Sequence, residues 1–165
     1  MKIKKLISER LNLIPLGINQ LSEEYVSWMN DNEVNFYLES GGDYDIIKLK
    51  EYLNNIEKSN IYSWAIYLKG SKHIGNIKID PINLDTKVGE YGILIGDKNE
   101  WGKGYAKEAS QIVINFCFNY LNLKKIELGV KMDNLSAINL YQKMGFVEYK
   151  ADVSKNSIRM FLKND

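Results

Sequence analysis

The stretch from residue 88 to residue 130 constrains the fold of this chain more than any other part of the sequence. Residues 88–95 and 125–130 have the apolar pattern of strands. Between them, residues 105–120 have apolar side chains at helical spacing, and residues 99–106 read Asn-Glu-Trp-Gly-Lys-Gly-Tyr-Ala. Two strands that flank one helix form a βαβ unit, so these two strands are predicted to be parallel.

The turn before this helix has two glycines, Gly102 and Gly104. Glycine lets the backbone turn tightly and come close to a ligand. The helix that follows points its free N–H groups and the positive end of its dipole into the turn. A pocket for a phosphate-bearing ligand is one interpretation. An ordinary strand-to-helix loop is the other, because short glycine motifs are weakly specific by themselves.

The remaining elements are predicted from the change between strand and helix periodicity. The predicted strands are residues 10–16, 61–68, 73–79, 146–149 and 157–162, and the predicted helices are 22–29, 32–38, 45–58 and 135–144. Asp80-Pro81 is expected to end the 73–79 strand. This order indicates an α+β or α/β domain with a mixed sheet, not a doubly wound one. No linker or repeat interrupts the chain, so residues 1–165 are expected to form a single domain.

Composition excludes several classes of function. A formal net charge of +1, with only two arginines among 22 basic residues, argues against a nucleic-acid-binding protein. Cys117 is the only cysteine and lies in an apolar run, so a core position is expected. One cysteine and one histidine (His73) cannot form a Cys/His zinc site, and no metal is expected. No apolar run is long enough for a signal peptide or a membrane span, so a cytoplasmic protein without membrane contact is expected.

The second informative stretch is residues 134–146, which read Asn-Leu-Ser-Ala-Ile-Asn-Leu-Tyr-Gln-Lys-Met-Gly-Phe. Asn134 can cap a short helix whose buried face includes Ala137 and Met144. Tyr141 follows Ala137 by four residues, so both lie on about the same side of the helix. In isolation the pattern also fits a capped amphipathic helix with a packed tyrosine.

The glycine turn and this helix together resemble the GNAT acetyltransferase superfamily. Within it, the chain looks like the branch of the ribosomal-protein alanine N-acetyltransferases and many small-molecule acetyltransferases. Segments 9–11 (Glu-Arg-Leu), 28–34 (Trp-Met-Asn-Asp-Asn-Glu-Val) and 89–93 (Gly-Glu-Tyr-Gly-Ile) also have counterparts there. One position departs: the family often has Gln or Arg where this chain has Asn99. The resemblance implies a mostly antiparallel seven-stranded sheet with helices on both faces and a parallel strand pair that splays apart.

The resemblance also implies acetyl-CoA as co-substrate. Backbone N–H groups of the turn would bind its pyrophosphate, and Lys103 would either add charge there or be solvated. The pantetheine arm would pair with the open edge of the first parallel strand. Asn134 and Asn139 match positions that often contact the arm, although Asn134 can equally be a simple helix cap. The implied cofactor-binding residues are Ile93, Leu94, Ile95, Trp101, Gly102, Lys103, Gly104, Tyr105, Ala106, Asn134 and Asn139.

The implied reaction is direct attack of an amine on the thioester within a ternary complex. Tyr141 is expected to be the general acid, because a phenol is protonated at neutral pH. A strand-edge N–H near Ile95 is expected to polarise the thioester carbonyl. Glu90 is the candidate base, directly or through water, with Glu39 and Asp97 as weaker candidates. A strong base is not required if the enzyme binds the neutral fraction of the amine.

The acceptor site is expected to include Trp28, Tyr37 and Glu39, although both aromatic residues can also be core residues. The first hypothesis is acetylation of a primary amine on a small molecule, such as a nucleotide-linked amino sugar. The alternatives are acetylation of a protein α-amino group, or a non-catalytic module that binds acyl-CoA. A small-molecule partner is favoured over a protein, and both a monomer and a homodimer are compatible with the sequence.

Overall fold

The computed structural model describes residues 3–38, 41–59 and 61–164. The strands are β1 (Leu6–Ile7), β2 (Leu11–Pro15), β3 (Tyr62–Leu68), β4 (His73–Asn83), β5 (Val88–Ile95), β6 (Lys125–Lys131), β7 (Val147–Asp152) and β8 (Ser157–Lys163). The helices are α1 (Glu23–Asn30), α2 (Asn32–Asn35), α3 (Ile46–Ser59), α4 (Tyr105–Asn119) and α5 (Leu135–Lys143). The strands form one sheet in the order β1-β2-β3-β4-β5-β6-β8-β7.

This architecture confirms the predicted α+β class and the mixed, mostly antiparallel sheet. Strands β5 and β6 form the parallel pair, as the βαβ pattern predicts. The prediction of seven strands was wrong, because the described residues form a sheet of eight. The additional strand, β1, has two residues, of which Leu6 pairs with Leu13 of β2. Two residues are too few to produce a recognisable alternation of polar and apolar side chains.

The predicted end of β4 at Asp80-Pro81 was also wrong. The strand continues to Asn83, and its register with β5 shifts between Ile79 and Ile82. Proline is compatible with a strand at such an irregularity, because the regular ladder does not require its missing N–H there. The shift therefore lets β4 pass through a residue that would normally end it.

Helices cover both faces of the sheet. On one face, Ala109, Val113 and Cys117 of α4 are fully buried in a core that also includes Trp64 and Leu128. Their spacing of four residues gives α4 the apolar stripe that faces the sheet. On the other face, α1 and α3 form a second core with Ala65 of β3. The cores hold the sheet between two helical layers.

Strands β5 and β6 separate after a short parallel contact. The paired residues are Val88 with Lys125, Gly89 with Ile126, and Glu90 with Glu127, and the recorded pairing ends there. Beyond this point β5 remains paired with β4, and β6 remains paired with β8. A gap therefore opens between the carboxyl-terminal halves of the two central strands.

We predict that Leu128→Ala lowers the free energy of unfolding by about 3 kcal/mol, because it leaves a cavity in the core on the α4 face. Leu128 is 1% exposed, whereas Leu84 is 78% exposed. Leu84→Ala is the matched control and is expected to change stability by less than about 0.5 kcal/mol. Urea denaturation of both variants tests this, and equal losses would contradict the assignment of Leu128 to the core.

Candidate active site

The gap between β5 and β6 opens into a cavity of about 930 Å³. Its wall includes residues of β4, β5 and β6, of helices α1, α3 and α5, and of the β7–β8 hairpin. Tyr141 and Glu90, the two predicted catalytic residues, both line it. A cavity of this size is typical of ligand-binding pockets.

The glycine turn has the backbone conformation that its sequence predicts. Gly102 and Gly104 have φ angles of +73° and +83°, in the left-handed region that disfavours residues with a Cβ. A Cβ added at Gly102 would meet no heavy atom within 4 Å, so the space beside it is open. Gly104 is the N-cap residue of α4 and provides no side-chain cap. Hydrogen-bond donors of the first turn of α4 therefore remain available for an anion.

Side chains around the turn hold its two ends. The indole Nε1 of Trp101 donates a hydrogen bond to the Ile95 carbonyl at 2.8 Å, which links the turn to the end of β5. The Lys103 ammonium lies 2.8 Å from a carboxylate oxygen of the buried Glu100. The positive charge of Lys103 is thus already paired with a neighbouring carboxylate. Tyr105 and Ala106 are half-buried and begin α4.

Tyr141 presents a buried phenol to the cavity. Its ring centroid is 5.8 Å from those of both Tyr91 and Phe146. Burial raises the pKa of Tyr141 to about 12, and hydrogen bonding with the Tyr91 hydroxyl offsets only part of this increase. The Tyr91 hydroxyl is in turn 2.5 Å from Ser110 Oγ. Tyr141 is therefore a protonated hydrogen-bond donor throughout the neutral range.

Glu90 is bound by an arginine that the sequence interpretation missed. Arg159 of β8 donates from Nη1 and Nη2 to the two Glu90 carboxylate oxygens at 2.6 and 2.7 Å, and Nη2 also lies 3.2 Å from Glu127. The guanidinium passes over Gly129 of β6, where an added Cβ would be 3.3 Å from Nη1. Arg159 consequently joins β5 to β6 where the strands separate. The only hint in the sequence is the rarity of arginine, which occurs twice.

The family of the chain follows from a match to the sequence model of the acetyltransferase (GNAT) domain. The match extends over residues 10–147, which include the turn, Glu90 and Tyr141. The chain belongs to the GNAT acetyltransferase family. It is therefore an N-acetyltransferase, and acetyl-CoA is the acetyl donor that this family uses.

Individual relatives of this GNAT protein have low to moderate identity. The N-acetyltransferase p20 of Bacillus licheniformis is 27% identical over 149 residues, which cover 87% of this chain and 83% of p20. A spermidine N(1)-acetyltransferase of Vibrio cholerae is 36% identical over 75 residues, which cover 46% of this chain and 43% of that protein. The fold matches a crystal structure of spermidine N-acetyltransferase from Vibrio cholerae in complex with CoA and spermine. For that structure the TM-score is 0.86, with 24% identity over 94% of this chain and 96% of the other.

The other predicted cofactor residues of the GNAT site lie in two places. Ile93 and Leu94 line the cavity on β5, and Ile95 follows them at the strand end. The Asn134 side chain caps α5 by accepting from the Ala137 amide at 3.2 Å, while the residue also lines the cavity. Asn139 is exposed on α5 and is not among the cavity-lining residues. Asn134 can therefore cap α5 and lie beside a ligand in the cavity at the same time.

The three predicted acceptor residues have different environments. Trp28 is 5% exposed and packs against Tyr25 and His73 in the α1 face of the core, as the structural alternative for this residue anticipates. Tyr37 is 37% exposed and lines the cavity. Glu39 lies outside the described residues. Of the two that the structure describes, Tyr37 is the one placed where a ligand in the cavity would contact it.

Asp97, the weaker candidate base that the structure describes, is engaged elsewhere, and so is the single histidine, His73. Desolvation opposes ionisation of Asp97, but hydrogen bonds from Lys72 and the Asn99 amide outweigh it and lower the Asp97 pKa. Burial lowers the pKa of His73, so its ring is neutral, and the ring stacks on Tyr67 with centroids 5.0 Å apart. Asp97 is an ion-pair partner and His73 is a packed ring.

His73 fixes the orientation of an amide in the cavity wall. Its Nε2 is 3.0 Å from both the Gly75 carbonyl and Asn76 Oδ1. A carbonyl can only accept, so Nε2 is the donor and Oδ1 of Asn76 accepts from it. The Asn76 Nδ2 then points away, and it is buried without a partner in the described part of the chain. Asn76 is thus a preoriented donor beside the cavity.

Two further observations concern only the ranges that the structure describes. Within them, no three His, Cys, Asp or Glu side chains form a group that could hold a metal ion. No helix there is both long and apolar enough to cross a membrane.

Cys117 has the core position expected from the sequence. It is fully buried on α4, and burial raises the pKa of its thiol to about 12. A thiol of this kind is not ionised at neutral pH and is remote from solvent, so it is unsuited to act as a nucleophile.

We predict that Cys117→Ala keeps kcat within threefold of wild type, because no covalent step involves the thiol. The native thiol should also fail to react with a disulfide reagent at pH 8 and react fully in denaturant, since unfolding returns its pKa to about 8.5. A loss of kcat of more than tenfold in a folded Cys117→Ala variant would contradict this.

Proposed function

We propose that the enzyme transfers the acetyl group of acetyl-CoA to a primary amine of a small molecule, by direct attack within a ternary complex. The separation of β5 and β6 after Glu90 and Glu127 is the observation that supports this most strongly. It opens a cavity of about 930 Å³ that Tyr141 lines, and the donor is proposed to extend from this cavity past the end of β5 to the glycine turn, whose residues do not line it.

The donor is proposed to bind along the turn and β5. Backbone N–H groups from Gly102 to Ala106 would hold the pyrophosphate, since Gly102 leaves open space there. The Trp101 amide, predicted to take part, already donates to the Lys98 carbonyl at 3.2 Å. The inner edge of β5 at residues 93–95 would pair with amide groups of the pantetheine arm, as a peptide adds to a sheet edge. The Asn134 amide would contribute a hydrogen bond from α5, whereas the exposed Asn139 remains a weaker prediction.

Tyr141 is proposed to protonate the leaving sulfur. As the amine forms its bond to the thioester carbon, the C–S bond breaks and the thiolate needs a proton. The amine loses one proton in the same reaction, so charge balances when Tyr141 gives its proton to sulfur and regains one from the amine. Its high pKa keeps it protonated before the reaction but makes donation favourable only if this replacement is coupled to it.

Glu90 remains the proposed base, on the condition that its carboxylate can accept a proton despite its ion pair with Arg159. Both of its oxygens accept from Arg159, so a bridging water or a shift of the guanidinium is needed before the carboxylate can take a proton. The alternative is that the enzyme selects the neutral amine and needs no strong base. In that case Glu90 and Arg159 fix the width of the gap between β5 and β6.

Charge around the cavity favours an acceptor that also has an anionic group. Among the described residues, five basic and three acidic side chains line it, and Arg159 and Glu90 neutralise each other. The remaining positive excess is on the β6 to β8 side, where Lys131, Lys150 and Lys155 lie together with one carboxylate, Asp152. This favours a phosphate-bearing or carboxylate-bearing amine, such as a nucleotide-linked amino sugar, because a polyamine would be repelled.

A polyamine is the second candidate acceptor. Its support is the 36% identity over 75 residues with a protein named spermidine N(1)-acetyltransferase. A protein α-amino group is the third, and a non-catalytic acyl-CoA-binding module is the last alternative. An acceptor assay separates all four.

We predict that Tyr141→Phe lowers kcat by 100-fold or more and leaves the KM for acetyl-CoA within threefold. The wild-type pH profile of kcat should not fall up to pH 10, because a phenol with a pKa of about 12 keeps its proton there. The matched control is Tyr120→Phe, which removes an exposed phenol at the end of α4. An unchanged kcat for Tyr141→Phe at every pH would contradict the general-acid role.

The acceptor prediction is tested by measuring thioester consumption with four acceptors: a nucleotide-linked amino sugar, an amino acid, spermidine and short peptides. We expect kcat/KM for the best anionic amine to exceed that for spermidine at least tenfold, a difference of about 1.4 kcal/mol. A higher value for spermidine would favour the polyamine, and a higher value for peptides the protein α-amine. Acetyl-CoA binding without consumption across the panel would favour the non-catalytic module.

A further inference from the structure

The second arginine of the chain lies against the glycine turn. Arg10 precedes β2, and its Nη1 donates to the Lys103 carbonyl at 3.0 Å, between the two glycines. Its Nε donates to Glu108 at 2.6 Å. The guanidinium carbon is also 4.5 Å from the ring centroid of Tyr105, the first residue of α4. The planar group therefore contacts the turn and the start of the helix simultaneously.

Glu108 introduces a negative charge into the same region. It accepts from Ser8 Oγ at 2.6 Å and from the Arg10 amide at 2.9 Å, in addition to the Arg10 side chain. Burial alone would raise its pKa, but these hydrogen bonds outweigh burial and lower it, so the carboxylate is ionised at neutral pH. A carboxylate in the first turn stabilises the helix through its dipole, yet it repels a diphosphate at that terminus.

Arg10 affects both the charge near the turn and the conformation of the turn. It neutralises Glu108 on the side that faces the turn, and its bond to the Lys103 carbonyl restrains the peptide between two residues with positive φ. Nη2 lies beside Gly104, since a Cβ there would be 3.5 Å from it, and no partner of Nη2 is recorded within the described ranges.

We propose that Arg10 is a positioning residue for donor binding, which offsets the Glu108 charge and fixes the turn in the form that accepts a pyrophosphate. This inference rests on the proposed placement of acetyl-CoA. The competing explanation is that Arg10 merely attaches the amino-terminal strand to α4. The two differ in whether the effect of losing Arg10 depends on the phosphates of the donor.

The experiment compares two acetyl donors with the same reactive end. Acetyl-CoA has the pyrophosphate, and S-acetyl-pantetheine lacks it. Arg10→Gln is expected to raise the KM for acetyl-CoA at least tenfold while kcat, and the KM for S-acetyl-pantetheine, stay within twofold. The KM of Arg10→Lys for acetyl-CoA should still be at least fivefold above that of wild type, because an ammonium cannot reproduce the two hydrogen bonds that the guanidinium donates to Glu108 and to the Lys103 carbonyl. Lys69→Gln, which removes one exposed positive charge from the β3–β4 turn, is the matched control and should have no effect.

An equal rise in KM for both donors, or an equal loss of kcat, would overturn the inference in favour of a purely structural role. A wild-type KM for acetyl-CoA in Arg10→Lys would overturn the inference that Arg10 positions the turn. Gly102→Asn tests the donor site itself, because asparagine tolerates positive φ and its side chain would enter the open space. If Gly102→Asn leaves the KM for acetyl-CoA unchanged, the proposed donor placement fails. If it raises that KM and Arg10→Gln does not, only the Arg10 inference fails. Melting temperatures confirm that each variant is folded.

Discussion

The separation of β5 from β6 is the constraint on which the rest of the structure depends. A sheet is normally continuous because every unpaired backbone group costs free energy. Here pairing stops after Glu90 and Glu127, and Arg159 joins the strands at that point. The polar edges left beyond it can be satisfied by a ligand that has amide groups. The interruption of the sheet is therefore what makes a binding slot, and the helices and the turn are arranged around it.

The glycine turn and the cavity between the strands have different chemistry. The turn between β5 and α4 has left-handed glycines and no side-chain cap, which suits a phosphate group. In the cavity, Tyr141 is buried and protonated in a wall that also includes charged residues. A ligand with a charged head and a polar arm fits this distribution. Burial of Cys117 agrees with transfer that needs no covalent enzyme intermediate.

Sequence reasoning was most successful where a local pattern determines a local structure. Nearby residues are enough to predict the strand Val88–Ile95, the turn at Gly102 and Gly104, and the cap at Asn134. It failed for β1, which is too short to show a period, and for β4, where a register shift admits Pro81. The contact of Arg159 with Glu90 could not be predicted either. It joins residues 69 positions apart, and only the order of β5, β6 and β8 brings them together.

The short contact between β5 and β6 also has a mechanical consequence. Five strands lie on one side of it and three on the other, and three residue pairs join these two panels within the sheet. Helix α4 connects them along the chain, and the ion pair of Arg159 with Glu90 joins them side by side. Such a joint resists sliding, because its register is fixed, but resists bending much less than a fully paired sheet would. A small rotation of one panel against the other would widen or narrow the slot, and the α4-face core would have to accommodate it, because that core contains residues of both panels, such as Trp64 and Leu128.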